Sequence, residues 1–139
     1  MAIIQNPEKS FTVDASIEQI KKIINRVPEF AKGGKLISSD DFICQYEFEF
    51  STLKVGNVIT VSLNSVDDNK TEIKLEARRI LGAFNNQREV MEADLDFKNI
   101  TKALSKLIQN PDVAKPEKKG CAGSATILVI LLVSLVFLF

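Results

Sequence analysis

The stretch Phe42-Ile43-Cys44-Gln45-Tyr46-Glu47-Phe48-Glu49-Phe50 decides the fold. Phe42, Cys44, Tyr46, Phe48 and Phe50 fall on one side of an extended chain, while Gln45, Glu47 and Glu49 fall mostly on the other. A strand with one apolar and one wet face belongs to an antiparallel sheet covered on a single side. The pattern repeats downstream. Val58 to Val66 directs Ile59, Val61 and Leu63 one way, and Thr71 to Arg78 directs Ile73, Leu75 and Ala77 inward with Glu72, Lys74, Glu76 and Arg78 outward. Leu53 to Asn57, containing Gly56, reads as the first turn, and Asp67-Asp68-Asn69-Lys70 as the second. Three alternating segments with short turns predict an antiparallel meander.

Outward from the meander, Lys9 to Asp14 reads as a first strand, with Phe11 and Val13 on one face. Ser16 followed by Gln19 is a capping-box pattern, and Ile17, Ile20, Ile23, Ile24 and Val27 recur at helical spacing until Pro28 ends or bends the helix. Gly33-Gly34 marks a turn. Ile80 to Ala93 fits a loop with a helical turn near Glu89 to Ala93. Asp96 then reads as the cap of a final helix to Gln109, with Phe97, Ile100, Leu104, Leu107 and Ile108 as its apolar stripe. The expected class is α+β, with four or five strands in a meander packed against an N-terminal and a C-terminal helix, plus one C-terminal transmembrane helix.

That last element is expected from Ala125 to Phe139, where every residue is Ile, Leu, Val, Phe, Ala, Ser or Thr. This run alone makes a helix of roughly 22 Å, and adding Gly120 to Ser124 gives roughly 30 Å, the thickness of a hydrocarbon core. The segment has no polar stripe of the kind a helix on a small domain turns to solvent. The organisation predicted is a soluble domain over 1–110, a Pro- and Lys-rich linker over 111–120, and a membrane anchor over 121–139. Lys115, Lys118 and Lys119 precede the apolar run, so the positive-inside rule predicts a single-pass protein whose domain faces the cytoplasm. These lysines would lie near lipid headgroups. Cys121 sits where acylation occurs in other proteins, although a small residue at a helix entrance explains it as well.

Composition narrows the chemistry. The 139 residues carry 18 Lys+Arg and 18 Asp+Glu, so there is no basic footprint for nucleic acid. Histidine is absent, which removes the commonest general base and zinc ligand. Cys44 and Cys121 alone would not make a metal site, and neither a glycine-rich phosphate loop nor any other cofactor motif occurs. Asp40-Asp41 and Asp67-Asp68 sit in turns, where aspartate is common for backbone reasons. Arg78, Arg79 and Arg88 are arginines that elsewhere grip anions, but here they read as a solvated strand end and loop. No catalytic constellation can be assembled.

The segments Phe11-Thr12-Val13-Asp14-Ala15-Ser16-Ile17-Glu18-Gln19-Ile20 and Val27-Pro28-Glu29-Phe30 resemble the opening strand, first helix and Pro-Glu turn of the START/Bet v 1-like (SRPBCC, helix-grip) superfamily. Ile100 to Ile108 is similar to its closing helix. The chain departs from the larger members in having fewer strands than their seven and a shorter closing helix. The resemblance implies an apolar or lipid ligand held between sheet and helix, and transfers no catalytic residue. On this basis Phe42, Tyr46, Phe48, Phe50, Ile59 and Leu104 are the candidate ligand-binding residues, with plain core as the competing role. Glu47, Glu49 and Arg78 on the polar face are the candidate contacts for a protein partner. The function expected is a membrane-tethered, non-catalytic binding module for an apolar ligand. The alternative is a structural or adaptor protein that presents its polar sheet face at the membrane.

Overall fold

The alternating segments do pair. A computed structural model describes residues 4–52 and 55–115 and contains five strands. These are β1 (Glu8–Val13), β2 (Gly34–Asp40), β3 (Gln45–Thr52), β4 (Val55–Asp67) and β5 (Lys70–Arg79), arranged in the order β1-β5-β4-β3-β2 with every pair antiparallel. The register aligns apolar rows across the sheet. Tyr46 faces Val61, which faces Leu75, and Phe48 faces Ile59, which faces Ala77. All six are fully buried.

Three helices cover that face. α1 (Ile17–Ile23) opens on the predicted capping box, in which the Gln19 N–H donates to Ser16 Oγ (3.2 Å) and the Ser16 N–H to Gln19 Oε1 (2.8 Å). A 3-10 turn over Ile24–Arg26 leads into α2 (Val27–Phe30). Pro28 sits in the first turn of α2, where its missing N–H costs nothing, so it starts this helix as well as interrupting α1. α3 (Gln87–Gln109) packs over the sheet and buries Ala93, Phe97, Ile100, Ala103, Leu104 and Leu107 in the core.

Four expectations are corrected. First, α3 starts at Gln87 rather than at Asp96. Asn86 caps it by accepting the Glu89 N–H (2.9 Å), and Asp96 lies within the helix. Val90 and Ala93 carry its stripe through the first turns, but they are too small to stand out as a period. Second, the Gly33-Gly34 turn leads straight into a strand, β2, that no periodicity in the sequence announces. Gly-Lys-Leu-Ile-Ser-Ser-Asp is an edge strand with a register shift between Leu36 and Ser38, and it buries too little to show alternation. Third, β3 starts at Gln45, because residues 41–44 form a turn in which Cys44 adopts a φ of 57°. Fourth, Gly56 belongs to β4 rather than to a turn. A Cβ there would lie 2.0 Å from the Phe50 carbonyl oxygen, so glycine alone permits this approach of the strands.

After α3 the chain turns back. The Arg26 guanidinium donates to the Pro111 carbonyl (2.8 Å) and to the Val113 carbonyl, and it is itself held by Glu29 (3.1 Å). Among the described residues no helix is long and apolar enough to cross a membrane. The expected anchor over 121–139, with Lys118, Lys119 and Cys121, lies outside the described residues. Lys115 is described and exposed.

Candidate functional site

The structure brings together most of the residues predicted to hold an apolar ligand, but as closed core. Tyr46, Phe48, Ile59 and Leu104 are between 0 and 1% exposed and Phe50 is 8% exposed. Together with Phe97, Ile100 and Leu107 they form one continuous cluster between sheet and α3. Phe42 lies apart from them and is 95% exposed. The Asp40 carboxylate accepts the N–H groups of Phe42 (3.0 Å) and Ile43 (3.2 Å), which folds the turn and takes Phe42 out of the strand's alternation. The Tyr46 hydroxyl donates to Asp41 (2.6 Å). Burial first, and then this hydrogen bond, hold the phenol protonated far above its usual range.

Glu47, Glu49 and Arg78 lie on the other sheet face, as expected. Arg78 spans β4 to reach Glu47 (3.0 Å), a partly exposed pair in which the two charges satisfy each other. A second pair, Lys74 with Glu8 (3.7 Å), marks the same face.

Where β3 and β4 meet the middle of α3, the core opens into a cleft of about 480 Å³. Phe50, Val55 and Leu95 give it apolar walls, while Asn57, Asp96 and Asn99 give it polar ones, and Lys32 stands at its rim. Beneath it runs a chain of buried polar contacts. Asn57, 1% exposed, donates through Nδ2 to Asp96 Oδ2 (2.9 Å) and accepts from Arg79 Nη1 (2.9 Å). Arg79 pairs further with Glu89 (3.2 Å) and Glu92 (3.8 Å), and lies 5.8 Å from the centre of the Phe84 ring. Burial raises the pKa of Asp96. The Asn57 hydrogen bond opposes that shift, Glu92 adds to it, and Arg79 works against it.

This cleft was missed in the sequence, although a signal for it existed. Ile73, Leu75 and Ala77 point inward at every second position, so Arg79 continues the same inward row. It is a buried arginine and not the solvated strand end expected. Asn57 and Asp96 carry no such signal, because they meet across 39 residues of sequence. Among the described residues no group of three or more acidic or cysteine side chains is placed to hold a metal ion.

The chain matches no family model and no curated protein. It is similar to several solved structures. An uncharacterized protein from Bacillus thuringiensis superposes with a TM-score of 0.58 at 12% identity, over 76% of this chain and 100% of that one. XoxI from Bacillus cereus gives 0.58 at 12%, over 80% and 100%. The Zhui aromatase/cyclase from Streptomyces sp. R1128 gives 0.51 at 8%, over 79% and 99%. At these identities the likeness is one of fold. It is consistent with the expected START/Bet v 1-like fold.

Proposed function

We propose that this chain is a non-catalytic binding module for an apolar molecule with a polar head, held to a bilayer by residues 121–139. The observation that carries the reading is the cleft. Its volume lies in the range of small-ligand sites, roughly 300–1,000 Å³, and it combines apolar walls with a few fixed polar groups. The ligand's apolar part lies against Phe50, Val55 and Leu95. Its head, a hydroxyl or amide, meets Asp96 and Asn99. The ligand is held at the mouth of the helix grip, because Phe48, Ile59 and Leu104 fill the interior.

Asn57 already spends its carbonyl oxygen on Arg79 and an amide hydrogen on Asp96, which suits holding better than turnover. The membrane part of the proposal is supported by the uncharged run from Gly120 to Phe139 and the lysines before it.

Native mass spectrometry tests the binding. The chain truncated after Pro116 keeps every described secondary-structure element and should retain a small molecule from cells or take up a long-chain fatty alcohol. Leu95→Arg places a charge on an exposed cleft wall and should abolish that retention. A domain that stays empty under both conditions overturns the reading.

A further inference from the structure

The described domain has a second apolar feature, at the end of the sheet opposite the cleft. Phe42 (95% exposed) and Ile43 (57%) project from the β2–β3 turn, and Val66 (56%) stands near the end of β4. The Leu63 N–H donates to the Cys44 carbonyl (3.0 Å), so β4 runs on past that turn and brings Val66 to the same end. Exposed apolar residues are ordinary, and Val55, Leu81 and Leu95 are as bare at the cleft end, so what sets this end apart is the almost completely exposed phenylalanine and its place beside the departing chain.

The position at which the chain leaves the domain gives this end a neighbour. Ser39, at the close of β2, donates to Asn25 Oδ1 (3.3 Å), and the adjacent Arg26 holds the carbonyls of Pro111 and Val113. The chain therefore departs beside the Phe42 turn and away from the cleft. From Val113 to Gly120 it reaches no more than about 25 Å even when fully extended. A domain of this size has a radius of gyration of roughly 13 Å and is about 34 Å across. The leash is shorter than the domain is wide, so an apolar run inserted from Cys121 onward turns this end toward the lipid.

We infer that Phe42 and Ile43, with Val66 beside them, dock into the surface of the bilayer that holds residues 121–139, fixing the domain with its cleft facing water. This rests on the tether proposed above. The partner is a zwitterionic lipid surface. In the two turns at this end Asp40, Asp41, Asp67 and Asp68 outnumber Lys70, so the Phe42 and Ile43 contact itself depends on apolar insertion, whatever the linker lysines add by charge. Its strength should therefore change little with salt.

The chain has no tryptophan, so single introduced ones report position cleanly. The full chain is reconstituted in phosphatidylcholine vesicles, with or without brominated acyl chains, carrying Phe42→Trp, Leu81→Trp or Phe137→Trp. Phe42 and Leu81 are both exposed, so neither substitution disturbs packing. Docking predicts blue-shifted emission and loss of intensity to brominated lipid for Phe42→Trp and Phe137→Trp, with Leu81→Trp unaffected. Quenching at Phe137→Trp without quenching at Phe42→Trp overturns the docking and leaves the tether standing; the turn would then be free to meet a protein. Quenching at Phe42→Trp alone supports the docking and removes the tether. Absence of quenching at both positions removes both, and quenching at Leu81→Trp overturns the orientation.

Discussion

Beneath α3 the Arg79 guanidinium is surrounded by Asn57, Glu89 and Glu92, with the Phe84 ring against it. Asn57 is the hinge of that arrangement. Replacing it with alanine removes the hydrogen bonds to both buried Arg79 and half-buried Asp96, and losing a buried polar partner costs about 1–3 kcal/mol. Asn57→Ala should therefore lower the urea midpoint clearly. Arg78→Ala, which breaks a half-exposed pair one residue away, should change stability by less than about 1 kcal/mol. Asp96 yields a prediction in pH. Its folded pKa is raised by burial, so its contribution to stability is complete below the ordinary aspartate range, near pH 3.9, and is lost as pH rises through the higher folded value. Asp96→Asn cannot ionise and can still accept from Asn57. It should be more stable than the parent at about pH 7, with the difference closing by about pH 3.5. Denaturant melts at the two pH values measure this, and a gap that persists in acid would exclude charge as its cause.

At the scale of elements, Gly56 is where the pairing of β3 and β4 tolerates least change. Gly56 has a φ of 153°, and any side chain there meets the Phe50 carbonyl and the Ser51 Cα. Gly56→Ala should cost on the order of 2 kcal/mol or more. Because Gly56 and its neighbours line the cleft, the same change should also reduce ligand retention. The elements legible in the sequence were those that bury one full face, as β3, β4 and β5 do through Tyr46, Ile59 and Leu75, or that end in a local signal such as the Ser16–Gln19 box. β2 was not legible because an edge strand with Ser38, Ser39 and Asp40 hides almost nothing from water. The first turns of α3 were missed because Asn85-Asn86 reads equally as a loop or a cap, and only contact with the sheet decides between them. Of the apolar residues expected together, Tyr46, Phe48, Phe50, Ile59 and Leu104 share one cluster and Phe42 does not. Whether neighbours enclose space or fill it depends on how closely α3 approaches, and no spacing in the sequence encodes that distance.

Taken whole, the described domain has two unlike ends. One holds the cleft, where β3 and β4 meet the middle of α3. The other holds the bare Phe42 turn and the point where the chain departs. If the segment from 121 onward is the anchor, the full chain should sediment with membranes and the chain truncated after Pro116 should remain in the supernatant. Equal partitioning of the two would end that proposal. The Arg26 grip on Pro111 and Val113 gives this arrangement a mechanical meaning. Any pull on the residues beyond Val113 is borne first by a guanidinium braced by Glu29 and resting 5.7 Å from the centre of the Phe30 ring, before the last turn of α3 feels it. Force arriving from a moving membrane would thus be shunted into α2, and the helix that closes the core would be spared from unravelling at its loaded end.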